Sequence, residues 1–446
     1  MTAAHEPITA DEATSLFAPL ARHERLLLAV SGGCDSLALL VLIAEWQART
    51  GNKAPDVSVA TVDHGLRPES ADEAGFVAER CQRLGISHAT LPWIGLKSAA
   101  GVADAARAAR YRLLEDHARQ FSARGAVAVV TAHTEDDQAE TLLMRLKRGS
   151  GVDGLASIPA ERPLSPGSAI MLVRPLLAVS KTRLMATLRS RGLTWCEDPT
   201  NADQNFERVR LRKVLAGLKD SGVTAAALSL TARRMRDARD ALDFAVDAFE
   251  STLALSFNNE VFASCDRAAF ERAPVLLRQR VLARLIGRFG GTSPAPELSE
   301  IEALVAHLAA KPKAIATLGG TVITAGERTL RVWREAGRMA DREINLVPGE
   351  AVLWDNRFWV GVGKTSAEPV SVKPLGPDGF LAVSDRVIPA RRPPSRAAQA
   401  LPSFWSSTGL LAVPSLALYG LGCGSDGHPN TDAPTAIPVH ANPPRG

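Results

Sequence analysis

The string Ser31-Gly-Gly-Cys-Asp-Ser36 gathers in six residues what a polyphosphate site needs. Gly32 and Gly33 let the backbone approach phosphate oxygens closely, and the helical run from Leu37 offers the unpaired N–H groups and positive dipole end of a helix N-terminus. Ser31 and Ser36 add hydroxyl donors, and Cys34 stands inside the loop. Asp35 has the wrong charge for direct contact with phosphate, so its presence points to a magnesium ion between carboxylate and polyphosphate. No Walker-type loop occurs and no lysine stands within this one, which argues against kinase or GTPase chemistry.

A second reactive string runs Thr131-Ala-His-Thr-Glu-Asp-Asp-Gln-Ala-Glu-Thr141. If a helix begins near Thr134, then Asp136, Asp137 and Glu140 crowd its first turns, with Asp136 and Glu140 on one face. Like charges so close repel, and a cation should offset them. Asp35, Asp136 and Asp137 are therefore the candidate magnesium ligands. His64 and Arg67, in Val62-Asp-His-Gly-Leu-Arg67, can donate to polyphosphate oxygens and offset their charge. Arg110, Arg112 and Arg208 are further candidates for balancing phosphate charge.

The elements that must carry these residues are legible in the apolar pattern. Leu26–Val30, Val57–Val62 and Ala126–Thr131 are short branched runs, each followed by polar or glycine-containing sequence. They read as buried strands that open into loops at their C-terminal ends, where ligands sit in open α/β sheets. Helix-period stretches at 36–49, 70–84 and 104–119 supply the crossovers. The expected fold is α/β, a doubly wound and mostly parallel sheet over residues 1–215. A helical domain over 216–310 follows, then a small α/β or β-rich domain over 311–423. Within the last, Ile315–Leu318, Thr321–Thr324, Thr329–Trp333 and Arg357–Val360 read as strands. Residues 424–446, rich in Pro, Gly and polar residues, are expected to be a disordered tail.

Composition narrows the class. The net charge of +4 is too small to argue for nucleic acid by itself, so an RNA surface must be a local patch such as the arginines between 208 and 239. Five cysteines are scattered without a C-x-x-C pair, which indicates neither a zinc nor an iron–sulfur site and suits reduced thiols in a cytosol. No signal-peptide pattern and no run of membrane-spanning length is evident, so a cytoplasmic protein without membrane contact is expected.

Ser-Gly-Gly-x-Asp-Ser resembles the signature of the PP-loop, or N-type ATP pyrophosphatase, superfamily, with its Rossmann-like fold. Further strings resemble the tRNA(Ile)-lysidine synthase family within it: Val62–Arg67, Arg107 with Arg110 and Tyr111, the acidic string 131–141, Arg174-Pro-Leu-Leu177 with Lys181, and Trp195–Asn201 with Asp203, Phe206, Arg208 and Arg212. Two positions depart from the family pattern. Thr134 stands where a second histidine is usual, and Val209 where an asparagine is.

The resemblance implies an enzyme that uses ATP and magnesium to join free L-lysine to the wobble cytidine of the CAU-anticodon tRNA(Ile) through an adenylated intermediate. It implies nucleotide contacts for Ser31 to Ser36, His64 and Arg67, and catalytic roles for Asp35, His133, Asp137, Glu140, Arg110, Arg112 and Arg208. Asp137 or Glu140 would bind the lysine ammonium or take its proton. An oligomer is allowed. The rival readings are another PP-loop tRNA-modifying enzyme, such as a cytidine thiolase, or a non-catalytic tRNA-binding relative.

Overall fold

The computed structural model describes the chain apart from residues 1–5, 66–68, 95–101, 123–124, 166, 198–206, 292–293, 340–342, 365–368, 389–391, 422–433 and 440–446. It divides into two compact units, Met1–Arg239 and Asp240–Gly446. No helix among the described residues is long and apolar enough to cross a membrane.

The first unit is built on a six-stranded sheet. In chain order its elements are α1 (Ala10–Phe17), β1 (Arg25–Ala29), α2 (Cys34–Thr50), β2 (Asp56–Asp63), α3 (Ser70–Leu84), β3 (Ser87–Pro92) and α4 (Val102–Ser122). There follow β4 (Val127–Val130), α5 (Glu135–Lys147), α6 (Val152–Leu155), β5 (Glu161–Pro163), β6 (Met171–Val173), α7 (Lys181–Ser190) and α8 (Glu207–Leu218). A long helix, α9 (Ala225–Thr252), runs past the division. The strand order is β3-β2-β1-β4-β6-β5, parallel throughout except for the antiparallel edge pair of β5 with β6.

Alternation of side chains explains why the strands read as continuous apolar runs. Leu26, Leu28, Ala128 and Val130 pack on one face against α1, α2, α3 and α7. Leu27, Val127 and Val129 pack on the other against Leu114 and Ala118 of α4. A strand covered on both faces has no polar position to spare. The three strands and three helices expected from sequence are all present. The strands that sequence reading overlooked have a common weakness of signal: β3 is a partly exposed edge strand, and β5 and β6 have three residues each.

The second unit corrects the expected boundary at 310. Strand β7 (Phe262–Asp266) and the helices α10 (Arg267–Arg272), α11 (Val275–Gly290) and α12 (Leu298–Ala309) share one core with β8 (Ala314–Leu318), β9 (Thr321–Ala325) and β10 (Thr329–Arg334). The reason is pairing, because β7 is hydrogen-bonded to β10 in the sheet order β7-β10-β9-β8. Helical and β sequence here close a single hydrophobic cluster rather than two domains.

Further along lie β11 (Ile344–Leu346), β12 (Ala351–Trp354), β13 (Phe358–Gly361), β14 (Val370–Pro374), β15 (Pro402–Ser406), β16 (Gly409–Ala412) and β17 (Thr435–Pro438). Strand β17 falls inside the expected disordered tail. It pairs antiparallel with β13 and lays Ala436 on the local core, so these four residues bury backbone and side chain despite the polar sequence around them. Asp355 is buried between Arg334, which it holds through both oxygens at 2.7 and 2.8 Å, and Arg357 at 2.8 Å. Burial pulls the Arg357 guanidinium down to about 10 against the pull of that carboxylate.

Candidate active site

The glycine loop lies between β1 and α2, at the C-terminal edge of the sheet. Gly32 takes φ +82°, and a Cβ there would press on Cys196 Sγ at 3.3 Å, so this position favours glycine twice over. Ser36 folds back into the loop. Its Oγ accepts from Ser31 N at 3.1 Å and donates to Gly33 O at 3.0 Å. The expected hydroxyl donor at Ser36 is therefore turned inward and buried, while Ser31 is exposed. Cys34 points into the core, where burial, followed by the neighbouring Asp35 charge, pushes its thiol up to about 12. Its backbone belongs to the loop, and its side chain to the packing.

Asp35, in the first turn of α2, lines a cavity of about 430 Å³ together with Asp136, Asp137 and Glu140 of α5 and Lys181 at the start of α7. Arg212, Leu215 and Ala216 of α8 close another side. The glycine loop and the acidic helix start thus face a common space, because β1 and β4 are neighbours in the sheet and each opens into one of them.

The carboxylates are not free to form a metal cage by themselves. Asp137 Oδ2 accepts from Thr134 N at 2.8 Å, and Asp137 N donates to Thr134 Oγ1 at 3.4 Å, a capping box that starts α5. Asp136 Oδ2 accepts from Lys181 N at 2.7 Å and so caps α7 from another element. The three expected magnesium ligands line the cavity, yet among the described residues no group of three or more carboxylate, imidazole or thiol side chains could hold a metal.

The cations that should offset this charge come from the chain. Lys181 Nζ lies 3.5 Å from Asp35 Oδ2, Arg208 Nη1 lies 3.6 Å from Asp137 Oδ1, and Arg212 Nε donates to Glu140 Oε1. Burial raises the Asp35 pKa, with Lys181 opposing and Asp137 and Asp136 adding to the rise. Burial likewise raises that of Glu140 against its hydrogen bond from Arg212. Desolvation pulls Arg212 down, but Glu140, with Asp137 and Asp35, holds its pKa above the usual value. One oxygen on each acid, Asp35 Oδ1 and Glu140 Oε2, is buried and accepts no hydrogen bond among the described residues.

Both departures from the family pattern acquire local reasons. Thr134 is the buried N-cap of α5, where a hydroxyl serves better than an imidazole. Val209 is buried on α8, which packs against α5.

His133 sits just before that cap, its Nδ1 2.9 Å from Thr131 Oγ1. Burial holds its pKa down at about 4; Asp137 opposes the shift, and Arg174, Arg107 and Arg208 add to it. The imidazole is neutral in the folded state, so the stability it permits is present above pH 6.5 and is lost as pH falls toward 4. At about 1.4 kcal/mol per pH unit, the gap amounts to about 3 kcal/mol. Urea unfolding of the native chain and of His133→Gln at pH 7 and pH 4 should show the native chain losing about that much more than the variant. Equal losses would show that His133 does not carry this dependence.

His64 lies beyond the end of β2, with Arg110 Nη2 3.4 Å from its Nε2. Arg67 lies outside the described residues, as do Asp198 to Asn201, Asp203 and Phe206. Arg112 is exposed on α4 and is not among the charges that shift the acids or His133. The structure instead draws in Lys181, Arg212, Arg107 and Arg174. Their signal in the sequence was membership of the motif strings, but their partners lie too far along the chain to be paired without the fold.

Residues 5–218 match the PP-loop domain family. A tRNA(Ile)-lysidine synthase of Bradyrhizobium sp. strain BTAi1 is 47% identical over 314 residues, covering 68% of this chain and 85% of that protein. The tRNA(Ile)-lysidine synthase of Ruegeria pomeroyi is 38% identical over 390 residues, covering 87% and 88%. Among solved structures, the U34-tRNA thiolase NcsA of Methanococcus maripaludis aligns with a TM-score of 0.41 at 16% identity, over 50% of this chain and 76% of that one. With a glycine loop, an acidic helix start and a shared cavity in place, and with relatives of this identity and coverage, the chain belongs to the tRNA(Ile)-lysidine synthase family.

Proposed function

We propose that this chain is a cytoplasmic ligase that joins free lysine to C2 of the wobble cytidine in the CAU-anticodon tRNA(Ile), consuming ATP and releasing AMP and pyrophosphate. The observation that carries the reading is the cavity in which Asp35 of the glycine loop meets Asp137 and Glu140 of the acidic helix. It places a polyphosphate cradle beside groups able to manage an ammonium.

In the first step the cytosine O2 attacks the α-phosphorus of ATP, and pyrophosphate leaves with the bridging oxygen. The loop from Ser31 to Ser36 holds the departing pyrophosphate through backbone N–H groups and the Ser31 hydroxyl. His64, Arg67, Arg110, Arg112 and Arg208 oppose phosphate charge. Magnesium fits this donor set, because Asp35 Oδ1 lacks a partner and a hard cation held jointly with phosphate needs only one or two carboxylates. Asp35, with Asp136 or Asp137, would hold the ion, which when bound neutralises polyphosphate charge. Lys181 balances Asp35 when no nucleotide is present.

In the second step the ε-amine of lysine attacks C2, and AMP leaves with the former O2. The amine attacks only after losing a proton. Glu140 is the better acceptor of the two acids, since burial raises its pKa toward neutrality, Arg212 fixes one oxygen and the other is unpartnered. Asp137, committed to the helix cap and to Arg208, orients the site and contributes negative charge toward the ammonium.

The thiolase alternative needs a reactive thiolate, whereas burial raises the pKa of Cys34, Cys81, Cys196 and Cys265. Incubation with ATP, labelled lysine and tRNA transcripts tests the reading. Label should enter the CAU-anticodon tRNA(Ile) and not the methionine tRNA. Sulfur transfer, or no pyrophosphate release in response to tRNA, would remove it.

A further inference from the structure

We propose that Trp93 is a stacking platform for a nucleobase of the RNA substrate, an inference that rests on reading the chain as a tRNA-modifying ligase. Trp93 directly follows β3. Because β3 pairs with β2 and β2 with β1, the glycine loop, His64 and Trp93 follow one another along the C-terminal rim of the sheet. With strands about 4.8 Å apart, the indole stands roughly 10 Å from the loop along that rim. The acidic helix α5 follows β4, on the opposite side of β1.

The indole is held in place rather than packed away. Trp93 N donates to Asp63 O at 2.8 Å, which ties the residue to the end of β2. Its ring meets His64 nearly at right angles, 87° between planes, with centroids 5.8 Å apart. An edge-to-face contact of this kind covers at most one indole face. The next side chain, Ile94, is 85% exposed, so an apolar surface continues outward from the ring. Beside it stand cations suited to a phosphate backbone, Arg110 against His64 and Arg107 on the same helix. A rigid aromatic next to an exposed aliphatic and two arginines has the make-up of single-stranded nucleic-acid sites, where bases stack and the backbone is neutralised nearby.

The adenine of ATP is the other possible source of a base. Small-molecule sites bury most of the ligand's surface, whereas the chain beside this indole is open to solvent. A base carried on a macromolecule suits such an open rim better. Phosphate contacts then supply affinity, and the indole positions a base.

The test uses the full chain with Trp93→Ala, Trp93→Leu and Trp93→Phe, measuring tRNA-dependent pyrophosphate release as tRNA and ATP are varied in turn. Leucine keeps apolar bulk without a π face, and so guards against a folding defect in the alanine variant. Alanine and leucine should raise KM for tRNA, alanine by about 5- to 150-fold, while phenylalanine recovers most of the loss. KM for ATP should be unchanged, and tRNA affinity should fall with salt as steeply as in the native chain, because no phosphate contact is removed. A rise confined to KM for ATP would assign the platform to adenine and overturn the proposal. So would an unchanged KM for tRNA, leucine performing as well as phenylalanine, or a shallower salt dependence. If the native chain releases no pyrophosphate with tRNA, the ligase reading falls and takes this proposal with it; normal native turnover with an indifferent Trp93 removes the proposal alone.

Discussion

Asparagine at position 35 is expected to lower tRNA-dependent pyrophosphate release by about 100-fold or more while leaving the protein folded. The side chain lies in the first turn of α2 at the cavity wall, and its free Oδ1 is the oxygen best placed to share a cation with polyphosphate. An amide of the same shape cannot neutralise or hold that cation. The fold should tolerate the change because burial raises the Asp35 pKa, which means that the ionised carboxylate destabilises the folded state above its ordinary pKa. Removing the charge relieves that cost at neutral pH. Lys181 loses its partner, but its side chain is 43% exposed and can be solvated instead. Turnover and the thermal midpoint, measured together at pH 7.5, check both halves. Retained turnover would show that this carboxylate has no essential role, and a collapsed midpoint would show that its role is structural.

Glutamine at position 140 should separate the two chemical steps. Transfer of AMP to tRNA should persist, while formation of the lysine adduct falls by about 100-fold, the usual scale for loss of a general base. The argument rests on Glu140 being 1% exposed, with Oε1 engaged by Arg212 and Oε2 free. Glutamine can still accept from Arg212 but cannot take a proton. Loss of the charge opposite a half-buried guanidinium should also cost about 1–2 kcal/mol, below the range for fully buried pairs because the Arg212 side chain is 41% exposed. Parallel loss of both steps would place Glu140 in ATP binding rather than in lysine activation.

Much of this was readable from residues alone, and what was not readable has physical causes. The phosphate loop and the acidic helix start announced themselves because their chemistry is local, with glycines beside a strand end and carboxylates within one helical turn. The central strands β1, β2 and β4 were equally plain, since burial on both faces demands unbroken apolar runs. Partners were another matter. Nothing in the sequence says that Asp136 caps α7, that Arg212 meets Glu140 across 72 residues, or that the acids are balanced mainly from within the chain. The candidate magnesium cage failed for the same reason: Asp137 and Thr134 are spaced for a capping box as well as for ligation, and local geometry took the cap. In the second unit, the five-residue strand β7 hid among helices, and its pairing with β10 joined two expected domains into one core.

The most direct measurement follows ATP radiolabelled at its α-phosphate, with CAU-anticodon tRNA(Ile) present and lysine withheld. Label should accumulate on the tRNA as a covalently attached AMP and be discharged as free AMP when lysine is added. Formation of ADP, or a tRNA that never carries the α-phosphate, would contradict attack at that phosphorus and with it the assignment of the glycine loop as a pyrophosphate cradle.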